Sequence, residues 1–548
     1  MAGYSAYIDT FARDNLPPRE AWPEFVFDLP ELQYPERLNA GGALLDEVAA
    51  GEARSRPCVH TDDGVWSYRD LLERANRIAR VLVEDMGLVP GNRVLLRAAN
   101  TPVLIAAWFG VLKAGGVVVA TMPLLRVPEL TTIIDKAQIS HALTDARLTE
   151  ELENARDRQP ILSNVMTFGP GGELEAHMEK VQPDFETIET AAEDVALIAF
   201  TSGTTGNPKG CMHSHRDVLA VCDTFARHLL DPQPDEVFTG TPPLAFTYGL
   251  GGLVLFPLRF GASTVPIEQP GAKALLGAIE THRVTTMFTA PTAYRGLLGM
   301  VGEVDLSSLR KCVSAGESLP RATSDAWFER TGIRIVDGIG STEMLHIFIS
   351  AAGDDIRPGS TGKPVPGYRA MVAGDDMQPL PPGEVGRLAV RGPTGCRYLA
   401  DPRQADYVVD GWNVTGDAYK VDEDGYFWFQ ARTDDMIISS GYNISGPEVE
   451  AALVEHSAVG ECAVVAAPDE ERGNIVKAFV VPREGVTTGS AELIKELQNF
   501  VKSRIAPYKY PRAIEFTDSL PKTETGKIKR FKLRERELEG AGTQGSTS

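Results

Sequence analysis

The sequence has little cysteine, no long apolar run and no excess of positive charge, and each shortage excludes a class of protein. Its six cysteines are scattered without any C-x-x-C spacing. Neither a disulfide framework nor a zinc site is therefore predicted, and a reducing compartment is favoured. No stretch reaches the roughly 18 apolar residues that a membrane span requires. A formal net charge of -21 argues against general binding to nucleic acids or anionic membranes.

Length and overall composition indicate a multidomain globular protein. The chain of 548 residues is longer than one hydrophobic core usually serves, so two or more domains are expected. Its apolar content of 43% and charged content of 24% are ordinary for a soluble protein. Residues 1–9 contain neither the basic nor the apolar region of a secretory signal. We expect a cytoplasmic location, and either a monomer or a homodimer.

The order of predicted elements indicates the fold class. Strand and helix patterns alternate over residues 65–260 and again over 272–340, which predicts α/β subdomains of the doubly wound kind with largely parallel sheets. Short extended segments broken by Gly and Pro predict a β-rich subdomain over residues 357–428. A smaller α+β pattern follows. We expect an N-terminal domain over residues 1–433, a small C-terminal domain over 434–540 and a disordered tail over 541–548.

The segment 197–210 is the most informative part of the chain. A short apolar run predicts a buried strand, and it leads into a loop with three glycines, four hydroxyl side chains and one lysine. Glycines let backbone N–H groups turn toward an anion, and the hydroxyls and the ammonium add donors, so this composition is typical of a phosphate site. Pro208 and Gly210 disfavour the helix that a Walker-type loop needs here. Similar loops often bind nothing, and that alternative stays open without further motifs. The candidate residues are Thr201, Ser202, Gly203, Thr204, Thr205 and Lys209.

A Thr-Glu pair provides a second candidate. Thr342 and Glu343 come shortly after residues 333–336, which predict a strand. In open α/β sheets, ligands bind at the carboxyl ends of the strands. At such a place the hydroxyl suits a phosphate and the carboxylate suits Mg²⁺, whereas a solvated helical glutamate is the alternative. The neighbouring candidates for the nucleotide are Asp337, Gly338 and Gly340.

An acidic turn and a histidine pair occur elsewhere in the chain. Asp417 follows a glycine, and a carboxylate at such a turn can accept both hydroxyls of a ribose. Arg432 lies fifteen residues later and can bond the same ribose or a phosphate. A lone Gly-Asp turn is common, so its meaning depends on the accompanying motifs. His213 and His215 have no further ligand at metal spacing, and we expect no metal there.

In their order along the chain, these motifs resemble the adenylate-forming superfamily. That superfamily includes acyl-CoA and aryl-CoA ligases, adenylation domains of peptide synthetases and firefly-type luciferases, and it activates a carboxylate with ATP. Ile339 stands where the superfamily has an aromatic residue, and this departure resembles benzoate-type CoA ligases. Residues 344–348 strengthen the likeness. The N-terminal residues 16–39 resemble 2-aminobenzoate-CoA ligases.

The resemblance implies roles that the patterns alone leave ambiguous. Lys527 resembles the lysine that bridges the substrate carboxylate and the α-phosphate, although a solvated basic tail is the alternative. Gly316 and Glu317 are implied at the adenine. Asp434 resembles the hinge about which a mobile C-terminal domain swings, and Gly441 would then line the pantetheine tunnel. The implied acid pocket, for which a plain core role is the alternative, contains Phe246, Tyr248, Ala315 and His346.

Together these features predict an aryl-CoA ligase that uses ATP, Mg²⁺ and coenzyme A. It would convert an aromatic carboxylate of the benzoate or 2-aminobenzoate type to its CoA thioester through an acyl-adenylate, releasing AMP and pyrophosphate. A stand-alone aryl adenylation enzyme that loads a carrier protein would share every nucleotide motif. A fatty acyl-CoA ligase, a luciferase-like oxidase and a non-catalytic nucleotide-binding scaffold are less favoured. No nucleic-acid or membrane partner is expected.

Overall fold

The computed structural model describes residues 4–201, 208–432, 435–439, 442–469, 473–486, 490–505, 507–523 and 526–544. The chain divides into two compact units. The first unit comprises Met1–Ala370 and Val390–Asn413, and the second comprises Met371–Ala389 and Val414–Ser548. Much of the predicted β-rich segment thus groups with the C-terminal part of the chain. The predicted domain boundary at residue 434 stays a prediction.

The first unit contains a six-stranded, mostly parallel sheet. In spatial order its strands are Asn164–Phe168, His141–Asp145, Arg93–Arg97, Val117–Thr121, Val195–Thr201 and Lys209–Ser214. Each neighbouring pair is parallel except the last, which is antiparallel. Every residue of Arg93–Arg97 and of His141–Asp145 is buried, as expected where both faces of a parallel sheet are covered.

A nine-stranded sheet also belongs to the first unit. In spatial order its strands are Lys363–Pro364, Ile347–Ser350, Ile335–Gly340, Lys311–Ser314, Thr286–Thr289, Val237–Gly240, Ser263–Val265, Pro57–Thr61 and Gly64–Ser67. The central strands are parallel, and antiparallel strands complete both edges. The two sheets therefore interleave along the chain instead of following one another as two successive predicted stretches. The α/β class itself is confirmed.

Helices of the first unit connect and cover these strands. The helix Tyr68–Glu84 begins at a capping box, in which Ser67 and Asp70 exchange hydrogen bonds. The α-helices are Phe11–Asp14, Glu47–Ala50, Tyr68–Glu84, Pro102–Lys113, Val127–Ala137, Thr149–Arg156, Leu174–Met178, His215–Val221, Thr247–Leu250, Phe256–Arg259, Ala272–His282, Pro291–Leu297, Arg321–Thr331 and Gln404–Tyr407. Wider π-helical turns occupy Gly42–Asp46, Cys222–Leu230 and Gly251–Leu255. Single 3₁₀ turns occupy Arg19–Ala21, Pro30–Leu32, Glu52–Ser55, Ala146–Leu148 and Gly353–Asp355. The two-residue strand Val408–Val409 pairs with residues 412–413.

The second unit combines β-strands with three α-helices in the part of the chain that the structure describes. Its strands are Arg369–Ala373, Gly386–Arg391, Trp412–Val421, Phe427–Arg432, Met436–Ser439, Tyr442–Ser445, Val459–Asp469, Gly473–Pro482 and Ala513–Phe516, the first three of which begin or end in the first unit. Its helices are Gly446–Val454, Ala491–Arg504 and Arg530–Gln544, with a 3₁₀ turn at Pro507–Lys509. The last helix extends four residues into the predicted tail. Residues 545–548 lie outside the described residues, so their predicted disorder stays a prediction.

Candidate active site

Lys209 begins the last strand of the six-stranded sheet and pairs directly with Thr201 at the end of the neighbouring strand. The backbone therefore holds both ends of the predicted phosphate loop together. The Thr201 hydroxyl oxygen is buried and has no hydrogen-bond partner among the described residues. Ser202, Gly203, Thr204 and Thr205 lie outside the described residues.

The ammonium of Lys209 converges with Glu343 on a tyrosine hydroxyl. Lys209 Nζ donates to Tyr398 Oη at 2.6 Å and lies 3.3 Å from Glu343 Oε1. The Tyr398 hydroxyl donates to the same carboxylate oxygen at 2.6 Å. Burial, together with the negative charge of Glu343, raises the pKa of Tyr398 well above its usual value. The tyrosine therefore stays protonated and bridges the two charged groups.

Tyr398 was not predicted from the sequence. Its position depends on a backbone pairing in which Met212 N–H donates to Arg397 O and Leu399 N–H donates to Gly210 O. This pairing lays residues 397–399 along the strand that begins at Lys209. No spacing or composition near Tyr398 signals such a long-range contact.

A second lysine supports the same strand end. Lys136 Nζ donates to the carbonyl oxygen of Pro208 at 3.1 Å and to Asp401 Oδ2 at 2.7 Å. Two nitrogens of Arg403 also donate to the Asp401 carboxylate. The bonds from Arg403 and Lys136 lower the pKa of Asp401 despite burial, which keeps the carboxylate charged. The residue next to Lys209 is thus fixed by an ionic network that the sequence analysis missed.

The turn that carries Thr342 and Glu343 joins the strands Ile335–Gly340 and Ile347–Ser350. Glu343 is buried instead of being a solvated helical residue. Leu345 has φ of 69°, an unfavourable backbone geometry for a branched side chain that often marks functional sites. Gly340 is required here, because a Cβ would lie 2.7 Å from the backbone carbonyl carbon of His346. The close reversal brings Glu343 and His346 to the same edge of the sheet.

His213 holds the turn that carries Thr342 and Glu343 through a hydrogen bond to its backbone. Its ring Nε2 lies 2.7 Å from the carbonyl oxygen of Thr342, and burial lowers the pKa of His213 to about 4. The neutral ring therefore donates a hydrogen bond to the turn. His215 Nδ1 accepts from the backbone N–H of Ala40 at 3.0 Å. Across the described ranges, no three His, Cys, Asp or Glu side chains converge as a metal site.

Four of the predicted nucleotide residues lie at or just after the carboxyl ends of two strands of the nine-stranded sheet. Asp337 and Gly338 lie within the strand Ile335–Gly340, which corrects the predicted strand at residues 333–336. Burial raises the pKa of Asp337 to about 8. Gly316 has φ of 89° in the turn after Lys311–Ser314, and Glu317 Oε2 accepts a bond from the Thr292 hydroxyl at 3.2 Å.

Two of the predicted pocket residues contact each other in an aromatic environment. The rings of Tyr248 and His346 have centroids 5.7 Å apart, and Phe225 and Phe256 also pack on His346. The Tyr248 hydroxyl lies 3.2 Å from the carbonyl oxygens of Thr289 and Val313, which anchors it to the carboxyl ends of two strands. Ala315 is also buried, and it follows Val313 by two residues in the sequence.

His346 is the unusual member of this cluster. Both of its ring nitrogens are buried and have no hydrogen-bond partner in the described structure. Burial lowers its pKa to about 3, so the ring is neutral. Phe246, in contrast, lines a separate cavity of about 10 Å³ with Trp108 and residues 197–199. The structure thus groups Tyr248 with His346 and places Phe246 against the six-stranded sheet.

In the second unit, Asp417 and Arg432 are direct partners across an antiparallel strand pair. Arg432 Nη1 donates to Asp417 Oδ1 at 2.9 Å and to the carbonyl oxygen of Thr415 at 3.2 Å. Gly416, which lies between Thr415 and Asp417, has φ of 74°, and a Cβ there would lie 3.1 Å from the Arg432 guanidinium. The two polar groups therefore lie side by side in the fold, and their predicted bonding to a ribose stays a prediction.

Lys527 also belongs to the second unit and is exposed. Its backbone N–H donates to the Thr523 hydroxyl at 3.0 Å, and Thr523 N–H donates back to its carbonyl at 2.7 Å. Lys522 and Ile528 form a β-bridge that closes this turn. Asp434 and Gly441 lie outside the described residues, so their predicted roles as hinge and tunnel residue stay predictions.

Comparisons with known proteins cover most of the chain. The model of the AMP-binding enzyme family matches residues 45–398, and that of the AMP-binding enzyme C-terminal domain matches residues 448–527. A benzoate–CoA ligase from Thauera aromatica is 37% identical over 518 residues, which cover 92% of this chain and 97% of that protein.

Two of the solved structures that resemble this chain each cover more than nine-tenths of it. The anthranilate CoA ligase AuaEII in complex with anthranoyl-AMP has a TM-score of 0.88 and 34% identity, covering 94% of this chain and 100% of that one. A benzoate CoA ligase from Burkholderia xenovorans LB400 has a TM-score of 0.82 and 32% identity, covering 91% of this chain and 100% of that one.

In the described ranges, no helix has the length and apolar character that crossing a membrane demands.

Proposed function

The chain belongs to the AMP-binding enzyme family, and we propose that it is an aryl-CoA ligase acting on a benzoate- or 2-aminobenzoate-type acid. Its likeness to benzoate and 2-aminobenzoate CoA ligases is confirmed, and the chain is an AMP-forming acid–thiol ligase. ATP and coenzyme A are its co-substrates. The identity of the acid, the role of each residue and the order of the steps are proposals.

The meeting of Lys209, Tyr398 and Glu343 is the observation that carries the proposed ATP site. Lys209 ends the phosphate loop of one sheet, whereas Glu343 belongs to a turn of the other sheet. Their 3.3 Å separation places an ammonium that can bind phosphate oxygens beside a carboxylate. In-line displacement at a phosphate requires such preorganised charges. We assign the β- and γ-phosphates to Lys209 and the loop from Thr201 to Thr205, with Thr342 beside them.

The residues present fit a magnesium ion that arrives with ATP. Mg²⁺ is usually held by one or two carboxylates together with substrate phosphates and water, and it does not need a complete protein cage. Glu343 supplies one buried carboxylate at the end of the phosphate loop. Glu343 would hold the ion, whose chemical contribution is to neutralise charge on the phosphates.

The cluster of Tyr248 and His346 supports an aromatic acid. Aromatic rings favour offset or edge contacts with a ring-shaped ligand. The two unpartnered nitrogens of His346 suit a substrate with a polar substituent on the ring, because burial of an unpaired polar group costs free energy. A 2-amino group would satisfy one of them. We propose that Ala315 bounds the same pocket, whereas Phe246 lines the separate cavity beside Trp108.

Two reactions at one site account for the remaining residues. The carboxylate oxygen attacks the α-phosphorus of ATP and the bond to pyrophosphate breaks, which gives an acyl-adenylate. Lys527 stabilises the charge during this attack, while Asp417 and Arg432 bind the ribose and Gly316, Glu317, Asp337, Gly338 and Gly340 surround the adenine. Rotation about Asp434 then replaces Lys527 by Gly441. The CoA thiol loses its proton and attacks the acyl carbon, and AMP leaves.

A panel of acids tests the proposed substrate class. Pyrophosphate release with CoA is measured for benzoate, 2-aminobenzoate, hydroxybenzoates, heteroaryl acids and medium-chain fatty acids. We expect the highest kcat/KM for an aromatic acid, with an ortho-amino or ortho-hydroxy group preferred. The highest rate with a fatty acid would refute the aryl assignment. Faster transfer to a phosphopantetheinyl carrier protein than to free CoA would favour the adenylation-enzyme alternative.

The variant Lys527→Ala tests the two-step mechanism. We expect adenylate formation to collapse, by more than about 100-fold, while thioester formation from preformed aroyl-adenylate and CoA continues. Lys522→Ala in the same turn, whose ammonium pairs with Glu461 at 2.8 Å, is the matched control and should retain both half-reactions. Equal loss of both half-reactions in Lys527→Ala would contradict the mechanism.

We also propose that the enzyme acts in the cytoplasm. All six cysteines are buried, and their scattered spacing suits a reducing compartment. Fractionation of the producing cell, with immunodetection of the native chain, tests this placement. Recovery in an oxidising compartment would contradict it.

A further inference from the structure

Asn100 joins the six-stranded sheet to the segment that leads into the proposed acid pocket. It lies three residues after the strand Arg93–Arg97 and is 5% exposed. Its amide Nδ2 donates to the carbonyl oxygen of Pro242 at 3.0 Å, and its Oδ1 accepts from the backbone N–H of Leu244 at 2.8 Å. One side chain therefore fixes the backbone on both sides of Pro243.

The segment needs such support because it has few hydrogen-bonding groups of its own. Pro242 and Pro243 lack backbone N–H groups, and the strand that precedes them ends at Gly240. An asparagine side chain carries a donor NH2 group and an acceptor oxygen on the same carbon. The last backbone bond to the neighbouring strand runs from Thr241 N–H to Phe288 O. Asn100 bonds the backbone beyond that point, at Pro242 O and Leu244 N–H.

Short contacts transmit the position of Pro243 to the pocket. The carbonyl oxygen of Pro243 accepts from the N–H of Phe246 at 3.0 Å. A Cβ added at Gly249 would lie 2.1 Å from that same oxygen, so the turn and the helix Thr247–Leu250 touch without free space. A close-packed interior transmits displacements instead of absorbing them. Movement of Pro243 would therefore move the helix that carries Tyr248.

We propose that Asn100 is a positioning residue that sets the selectivity for the carboxylic acid through Tyr248 and His346. The inference rests on the proposed function, because that function assigns the Tyr248 and His346 cluster to the acid. Asn100 holds the pocket wall at two points, and the wall in turn fixes the distance between the Tyr248 ring and His346. Its loss weakens binding and selection of the acid and leaves the ATP site, built on Lys209 and Glu343, unchanged.

Two substitutions at Asn100 and one matched control test this role. Asn100→Ala removes both hydrogen bonds. Asn100→Asp keeps the acceptor for Leu244 but turns a carboxylate oxygen toward the carbonyl oxygen of Pro242, so it provides a second variant if the alanine variant folds poorly. Asn39 is a buried amide that likewise binds backbone groups, at Leu112 O and Gly41 N. Asn39→Ala therefore removes a comparable clamp away from the pocket segment.

We expect the KM for the acid to change and the KM for ATP to stay nearly constant. In both Asn100 variants, KM for the acid that the wild type uses best should rise about tenfold or more, while KM for ATP stays within about twofold. The kcat/KM ratio between that acid and a second acid of different shape should change by at least about fivefold. Asn39→Ala should lower thermal stability without changing either ratio.

Other outcomes would overturn the inference. Equal changes in KM for acid and ATP would indicate general loss of structure, and unchanged acid selectivity in well-folded Asn100 variants would show that the clamp does not position the pocket. The experiment uses whichever acid the wild type prefers. A fatty-acid preference of the wild type would refute the aryl assignment, while the substrate split in the variants would still decide the role of Asn100.

Discussion

Replacement of Tyr398 by phenylalanine tests whether the tyrosine bridge organises the ATP site. The change removes only the hydroxyl, which makes hydrogen bonds of 2.6 Å to Lys209 and to Glu343. Hydrogen bonds to charged groups are each worth about 1.5–3 kcal/mol. Lys209 and Glu343 are already 3.3 Å apart, and they can recover part of the lost free energy by moving closer to each other. A net loss of about 1.5–3 kcal/mol corresponds to a decrease in kcat/KM for ATP of about 10- to 160-fold.

Steady-state kinetics with ATP varied at saturating acid and CoA measure this effect. Burial and the charge of Glu343 raise the pKa of Tyr398, so the hydroxyl is protonated throughout pH 6–9 and the loss should not depend on pH. Tyr68→Phe is the control. The buried Tyr68 hydroxyl also donates a 2.6 Å hydrogen bond, but its acceptor is the backbone oxygen of Ala262 and not a charged group. A change below about twofold in Tyr398→Phe, or an equal effect in the control, would refute the reasoning.

Two further predictions concern groups that the sequence analysis missed or placed differently. Lys136→Met removes the donor to Pro208 O beside the phosphate loop, and a loss of about 1 kcal/mol should raise KM for ATP about fivefold with KM for the acid unchanged. Lys311→Met is its control, because Lys311 likewise bonds a carboxylate and a carbonyl oxygen. Asp337→Asn should gain stability relative to the wild type as pH rises from about 4 to 8, measured as Tm across that range. The folded pKa of about 8 lies above the usual 3.8, so the wild type progressively loses stability in this window.

Each of these results has a clear contrary outcome. A similar rise in KM for ATP in Lys136→Met and Lys311→Met would show a general effect of losing a buried ion pair. Wild-type and Asp337→Asn stability curves that run parallel from pH 4 to 8 would show that the Asp337 carboxyl titrates normally in the folded protein.

Local signals in the sequence were sufficient for individual strands and helices of the fold. The apolar run at 197–200 lies in the strand Val195–Thr201, and Ser67, a residue type that favours helix starts, caps the helix Tyr68–Glu84. Both depend on neighbouring residues only, through side-chain periodicity and short-range hydrogen bonds. The α/β class followed from the alternation of such elements.

Long-range pairing could not be predicted in the same way. Tyr398 lies 189 residues from Lys209 and 55 from Glu343, and Asn100 lies 142 residues from Pro242. The interleaving of strands such as Pro57–Thr61 into the second sheet is likewise a matter of topology, which no local period encodes. Leucine strongly disfavours positive φ, so the geometry at Leu345 could not be inferred from its residue type either.

The charges around the phosphate loop explain how a chain with net charge -21 can present donors to a polyanion. Lys209 is paired with Glu343 and Lys136 with Asp401, so each cation is held in a fixed place by an acid. A cation fixed in advance costs less free energy to use than one that must be ordered on binding. Phosphate oxygens on Lys209 and a divalent cation on Glu343 would separate the first pair without leaving either charge buried and unpaired. The acidic partner of Lys209 therefore does not weaken the site, because it is the group that the metal of the nucleotide would engage.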